Sequence, residues 1–152
     1  MIEKNPANHF ANEKLVLLYA IQGNFSSLEK IAQPYFKELI KIKKTRQACD
    51  FYRKLQKKQI KFMPDEAEVV LAIANEMKNK VDFQIAIDLI ESFLNKNQMP
   101  NGWEKLYFVN AQLLIEFANK IPEAKEKLNV IIKRGLDNEI MEKAENYMKA
   151  FG

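Results

Sequence analysis

The chain has 152 residues, 47% hydrophobic and 29% charged, with a formal net charge of +4. That length fits one domain able to bury a real core, and the balance is that of a soluble globular protein. The single cysteine, Cys49, excludes an internal disulfide, and the longest apolar run, "LVLLYAI" at 15–21, is far too short to span a bilayer.

Only four glycines occur. Strand proteins need many turns, so few glycines with abundant Lys, Glu, Leu and Ala favour helix. The opening "MIEKNPANHF" has no apolar h-region. No signal peptide is expected, and residues 1–11 are expected to fray. The expected location is cytoplasmic, either as a free protein or as the soluble part of a longer, anchored one.

In chain order, "LVLLYAIQ" reads as a helix stopped at Gly23-Asn24. Ser26 with Glu29 three residues later reads as a capping box for the next helix, which Pro34 breaks or restarts. "YFKELIKI" follows, "KKTR" makes a turn, and Thr45 is placed to cap "RQACDFYRKLQKK". Proline and acids in "FMPDEAEVV" open a helix ending near Asn79, and Asp82 caps the one after it.

"QMPNG" is the clearest turn. A helix is expected over 103–120. Another begins with Pro122 and stops at Gly135, and a last one over 137–151 puts Ile140, Ala144, Met148 and Phe151 on one side. No segment alternates long enough to form a strand. The expectation is about nine helices with short connections, hence antiparallel neighbours.

Three of these segments are in phase. Ala48, Ala86 and Ala124 are spaced by 38 residues. Two positions later stand Asp50, Asp88 and Glu126; four later, Tyr52, Ile90 and Leu128; seven later, Leu55, Phe93 and Ile131. The i, i+4, i+7 spacing puts each small residue and its two large ones on one helix face. The alanine lets the facing helix of its hairpin approach closely, and the large residues fill the groove toward the next hairpin. The shared acidic position belongs outside. A constant period near 38 falls in the range of helical-hairpin solenoids.

This pattern resembles the second helix of the tetratricopeptide-repeat family, over roughly residues 12–135. Ala74, twelve before Ala86, stands where the family has a small residue in its first helix, and "GNFSSL" at 23–28 looks like its inter-helix turn. The period exceeds the family's usual one, its Trp-Leu-Gly signature is missing, and Gln112 takes the small position in the third copy. The resemblance implies an all-α, short right-handed solenoid of antiparallel helix pairs over 12–151, closed by the C-terminal helix as a cap. It also implies a concave side lined by first helices, and a protein that binds a peptide or protein partner and catalyses nothing. Asn75 stands where the family places an Asn that grips a terminal carboxylate. The accompanying Lys is Leu71 here, so binding of such tails is not expected. Asn75, Lys78 and Asn110 are the candidates for the concave surface.

The chemical inventory points the same way. His9, the one histidine, reads as a surface residue, and Cys49, beside Ala48, as a small buried one. No metal-ligand spacing and no phosphate-cradling glycine loop occurs, so no cofactor is expected. Charge is uneven: residues 37–61 hold ten cations against two acids, a local +8 that leaves −4 for the rest. Lys41, Lys44, Arg46, Arg53, Lys57 and Lys58 form the candidate basic patch. Its alternative reading is an adaptor for nucleic acid or an anionic membrane surface. The aromatics Phe36, Phe51, Tyr52 and Phe62 in that segment could stack on bases, but their positions fit packing better.

Overall fold

The computed structural model describes residues 9–151 and is all-helical, with eight helices and no strand among the described residues. They are α1 (His9–Ile21), α2 (Phe25–Lys41), α3 (Thr45–Lys57), α4 (Ala67–Glu76), α5 (Phe83–Lys96), α6 (Trp103–Glu116), α7 (Ile121–Arg134) and α8 (Asn138–Phe151). Among the described residues no helix is long and apolar enough to cross a membrane. The chain divides into two compact units, residues 1–65 and 66–152.

The count is eight because Pro34 does not break its helix; α2 runs through it. A proline inside a helix removes one hydrogen bond and crowds the preceding turn. Here Leu28, Ala32, Tyr35, Phe36 and Leu39 form one buried stripe across the proline, while Pro34 itself faces solvent. Burial of that stripe outweighs the local cost.

The caps also differ from expectation. Gly23 stops α1 with a left-handed backbone (φ +70°), and the amide of Asn24 donates back to the Tyr19 carbonyl at 2.9 Å. Asn24 then caps α2, its Oδ1 accepting from Ser27 N at 3.2 Å, so Ser26 caps nothing. Thr45 lies inside α3, and Lys44 precedes it without a side-chain cap. Gly135 does end α7, but through extended backbone (φ −71°). A Cβ there would lie 2.5 Å from the Ile131 carbonyl oxygen, so close approach demands glycine.

The first unit packs α1 on α2 and α2 on α3. Its centre is aromatic: Phe36 stacks on Phe62 (5.1 Å, 20°) and on Phe51 (5.7 Å, 24°), with Tyr52 edge-on. Gln33 of α2 holds the irregular stretch after α3 by donating to the Met63 carbonyl at 2.9 Å and accepting from Asp65 N at 3.0 Å. Three helices are tied by one polar network. The Tyr35 hydroxyl donates to the Glu13 carboxylate, and the Gln47 amide reaches both Tyr35 Oη (3.3 Å) and His9 Nδ1 (2.9 Å). His9 is therefore the first residue of α1 and half-buried edge-on to Tyr35, not a loose surface residue. Residues 9–11 of the expected frayed segment are helical, and residues 1–8 lie outside the described part.

Burial pushes the Tyr35 phenol up from its ordinary range, and the Glu13 hydrogen bond and charge push the same way, against a lowering by Gln47. Above about pH 10 the unfolded chain releases this proton and the folded chain keeps it. The contribution to stability is complete below that pH and is lost as pH rises beyond it. Urea unfolding at stepped pH should show a steeper alkaline loss for the wild type than for Tyr35→Phe; equal slopes would reject this account.

The second unit consists of hairpins α4–α5 and α6–α7 with α8 packed on α7. In addition, α4 touches α6, and α6 touches α8. Glu104, buried in the first turn of α6, accepts from the amides of Leu136 (2.8 Å) and Asp137 (2.9 Å) through Oε2. Asp137 in turn caps α8, its Oδ1 accepting from Glu139 N and Ile140 N. The C-terminal helix is thus oriented from the start of α6.

Candidate functional site

The three in-phase segments are α3, α5 and α7, and their equivalent positions are equivalently buried. Ala48, Ala86 and Ala124 are fully buried, Tyr52, Ile90 and Leu128 are 4% exposed or less, and Leu55, Phe93 and Ile131 are 1% or less. Asp50, Asp88 and Glu126 are all exposed. The helix face read from the sequence is the buried face in every copy.

The first helices follow a different count. Burial pairs Val69, Ile73, Ala74 and Met77 of the α4 hairpin with Leu106, Asn110, Ala111 and Leu114 of α6, an offset of 37. The small residue of the third copy is therefore Ala111. Gln112 is half-buried beside it and accepts from Lys78 Nζ at 3.1 Å. One residue more separates the two alanines of the α6–α7 hairpin than those of α4–α5, and a constant spacing cannot register it.

That offset relocates the candidate surface. Asn75 is exposed at the end of α4, and Lys78 is half-buried and bonded to Gln112. Asn110 is corrected: it is fully buried at the core position that Ile73 occupies in the preceding hairpin, and offers no surface to a partner. Neither its Oδ1 nor its Nδ2 has a hydrogen-bond partner among the described residues. Burying an amide unpaired costs roughly 1–3 kcal/mol. Asn110→Leu, close in size, is expected to raise stability by about 1 kcal/mol in denaturant unfolding. A loss of stability would show that the amide is satisfied in solution.

On the basic segment, Lys41, Lys44, Arg46, Lys57 and Lys58 are exposed, and Arg53 is engaged with Asp50 at 2.6 Å. Its aromatics are core: Phe36, Phe51, Tyr52 and Phe62 are each 5% exposed or less. The patch presents charge without rings on which bases could stack. Cys49 is fully buried. Among the described residues no group of three His, Cys, Asp or Glu side chains could hold a metal ion.

The open depressions lined by described residues include two that are not prominent in the sequence. In the first unit a groove of about 420 Å³ is lined by Leu17, Ala20 and Ile21 of α1 with Lys58 and Ile60. In the second, one of about 310 Å³ lies between α5, α6 and α7, lined by Glu91, Tyr107, Glu123, Glu126 and Lys127 among others. Lys127 Nζ stands 5.1 Å from the Tyr107 ring centroid, a cation–π contact across α6 and α7. The signal for the first groove was present in α1, which is apolar on most sides and carries only Glu13 and Lys14 as charges. No protein-family model, curated protein or solved structure matches the chain.

Proposed function

We propose that the chain is a tetratricopeptide-like helical-repeat scaffold that binds a peptide or protein partner. The observation that carries this reading is the equivalent burial of the small and large positions in α3, α5 and α7. Contact between first helices α4 and α6, and between α6 and α8, supports it, because stacked hairpins bury a continuous core only when alternate helices also meet. In this reading α8 is the cap, the first helices form the recognition side, and Asn75 and Lys78 lie on it. The expected location is the cytoplasm.

The exposed lysines of the 37–61 segment favour one second reading, an adaptor for nucleic acid or an anionic membrane surface. The two differ in salt response. Charge-driven binding falls steeply with salt, because each neutralised phosphate releases counterions. The tagged 152-residue chain should retain the same host proteins at about 50 mM and about 500 mM salt, and the Arg46→Gln, Arg53→Gln, Lys57→Gln, Lys58→Gln variant should retain them too. Loss of all binding at the higher salt, or in the variant, would favour the anionic-surface reading. A chain that holds no protein at either salt overturns the scaffold reading.

A further inference from the structure

Among the described residues, the first unit carries exposed apolar side chains on α1 and at the start of α2. Of the thirteen residues of α1 only Asn12 and Val16 are buried. Ile21 is 84% exposed, Phe25 at the start of α2 is 52% exposed and Leu18 is 48% exposed. Isolated exposed apolar side chains are ordinary, but a contiguous cluster around a depression marks an interaction site. Here the exposed Ile21 is itself part of the groove formed with Leu17, Ala20 and Ile60. Its volume of about 420 Å³ lies in the ~300–1,000 Å³ range of pockets that enclose ligand groups.

The charged residue in the groove's described lining is a cation. Lys58 lines the groove, and no carboxylate is among its described lining residues. Lys61 follows Ile60 and Lys57 precedes Lys58 in the chain, and both are exposed. The wider 37–61 segment has a charge of +8. A concave apolar floor with a lysine in its lining complements an apolar anchor flanked by carboxylates.

We propose that this groove docks an acidic peptide segment of a partner protein. Aliphatic or aromatic anchors enter between Leu17, Ile21 and Ile60, and flanking Asp or Glu side chains meet Lys57, Lys58 and Lys61. The proposal rests on the scaffold reading but places recognition on α1 and the end of α3, away from Asn75 and Lys78. The recess between Leu17, Ala20 and Ile60 receives a side-chain anchor, which a peptide supplies, and the exposed Ile21 and Phe25 are tested against a bilayer by the vesicle arm below.

The probe is a randomised peptide library displayed on phage and selected on the full chain at 150 mM salt. Selected sequences should pair Leu, Ile or Phe with neighbouring Asp or Glu. Their synthetic forms should lose at least tenfold in affinity against Ile21→Asp and against Lys58→Glu. Both positions are exposed, and matching circular dichroism and melting curves establish that the variants fold.

Three results overturn the proposal: no enriched peptide, enriched peptides without acids, or binding indifferent to both substitutions. Peptides that instead lose affinity with Asn75→Ala and Lys78→Ala would sink this groove and leave the scaffold reading standing. Vesicles of phosphatidylcholine with 30% phosphatidylserine supply the remaining arm. Co-sedimentation with them that is abolished by Ile21→Asp, in a chain that selects no peptide, assigns the face to a membrane and also overturns the proposal.

Discussion

Phe36→Ala is expected to destabilise the first unit by about 3–5 kcal/mol, the usual cost of removing a buried phenyl group and leaving a cavity. Phe36 is fully buried, stacks on Phe51 and Phe62 and meets Tyr35 and Tyr52 edge-on, so its loss strips a partner from four further rings. A loss of that size is a large share of the stability of a small domain. Chemical denaturation followed by tyrosine fluorescence and far-ultraviolet circular dichroism would measure it. The substitution also separates the two functional readings. If these rings served as a platform for bases, Phe36→Ala would weaken nucleic-acid binding and leave stability nearly intact. The structure requires the reverse, and a change below about 1 kcal/mol would contradict the packing.

Glu104→Ala is expected to cost about 2–3 kcal/mol, because it leaves the amides of Leu136 and Asp137 without their shared acceptor. The damage should be local. Asp137 caps α8, so loosening the 135–137 connection should raise amide exchange along α8 before it affects α4 or α5. Glu104→Gln keeps an acceptor oxygen and should recover a good part of the loss. If Gln proves as damaging as Ala, the carboxylate charge matters more than the two hydrogen bonds. If neither variant changes α8 exchange, the link between α6 and the C-terminal helix carries no stability.

Much of this was legible in the residues alone. A helix face is written at i, i+4 and i+7, so Ala86, Ile90 and Phe93 announced their burial before any coordinates, as did their counterparts in α3 and α7. The exterior place of Asp50, Asp88 and Glu126 followed from the same periodicity. The packing of Phe36, Phe51 and Tyr52 could be inferred because they fell on apolar faces. Glycine and proline marked most connections, since their backbone constraints act locally.

What local pattern could not supply was anything that depends on a partner distant in the chain. Continuity of α2 through Pro34 was decided by the buried stripe on both sides of it, which outweighs one missing hydrogen bond. Asn110 looked like a surface amide because counting at a constant interval ignores the extra residue in its hairpin. Only packing shows that it took the place of Ile73. His9 looked loose until Tyr35 and Gln47, from two other helices, were brought to it. The groove at Leu17, Ile21 and Ile60 joins residues some forty positions apart.

The sequence by itself determined which faces are buried, because periodicity and hydrophobicity are properties of neighbours along the chain. Tertiary structure alone decided the register between hairpins and which apolar side chains of the described residues stay exposed. Both are set by how separate helices fill space against one another, and no single helix contains that information.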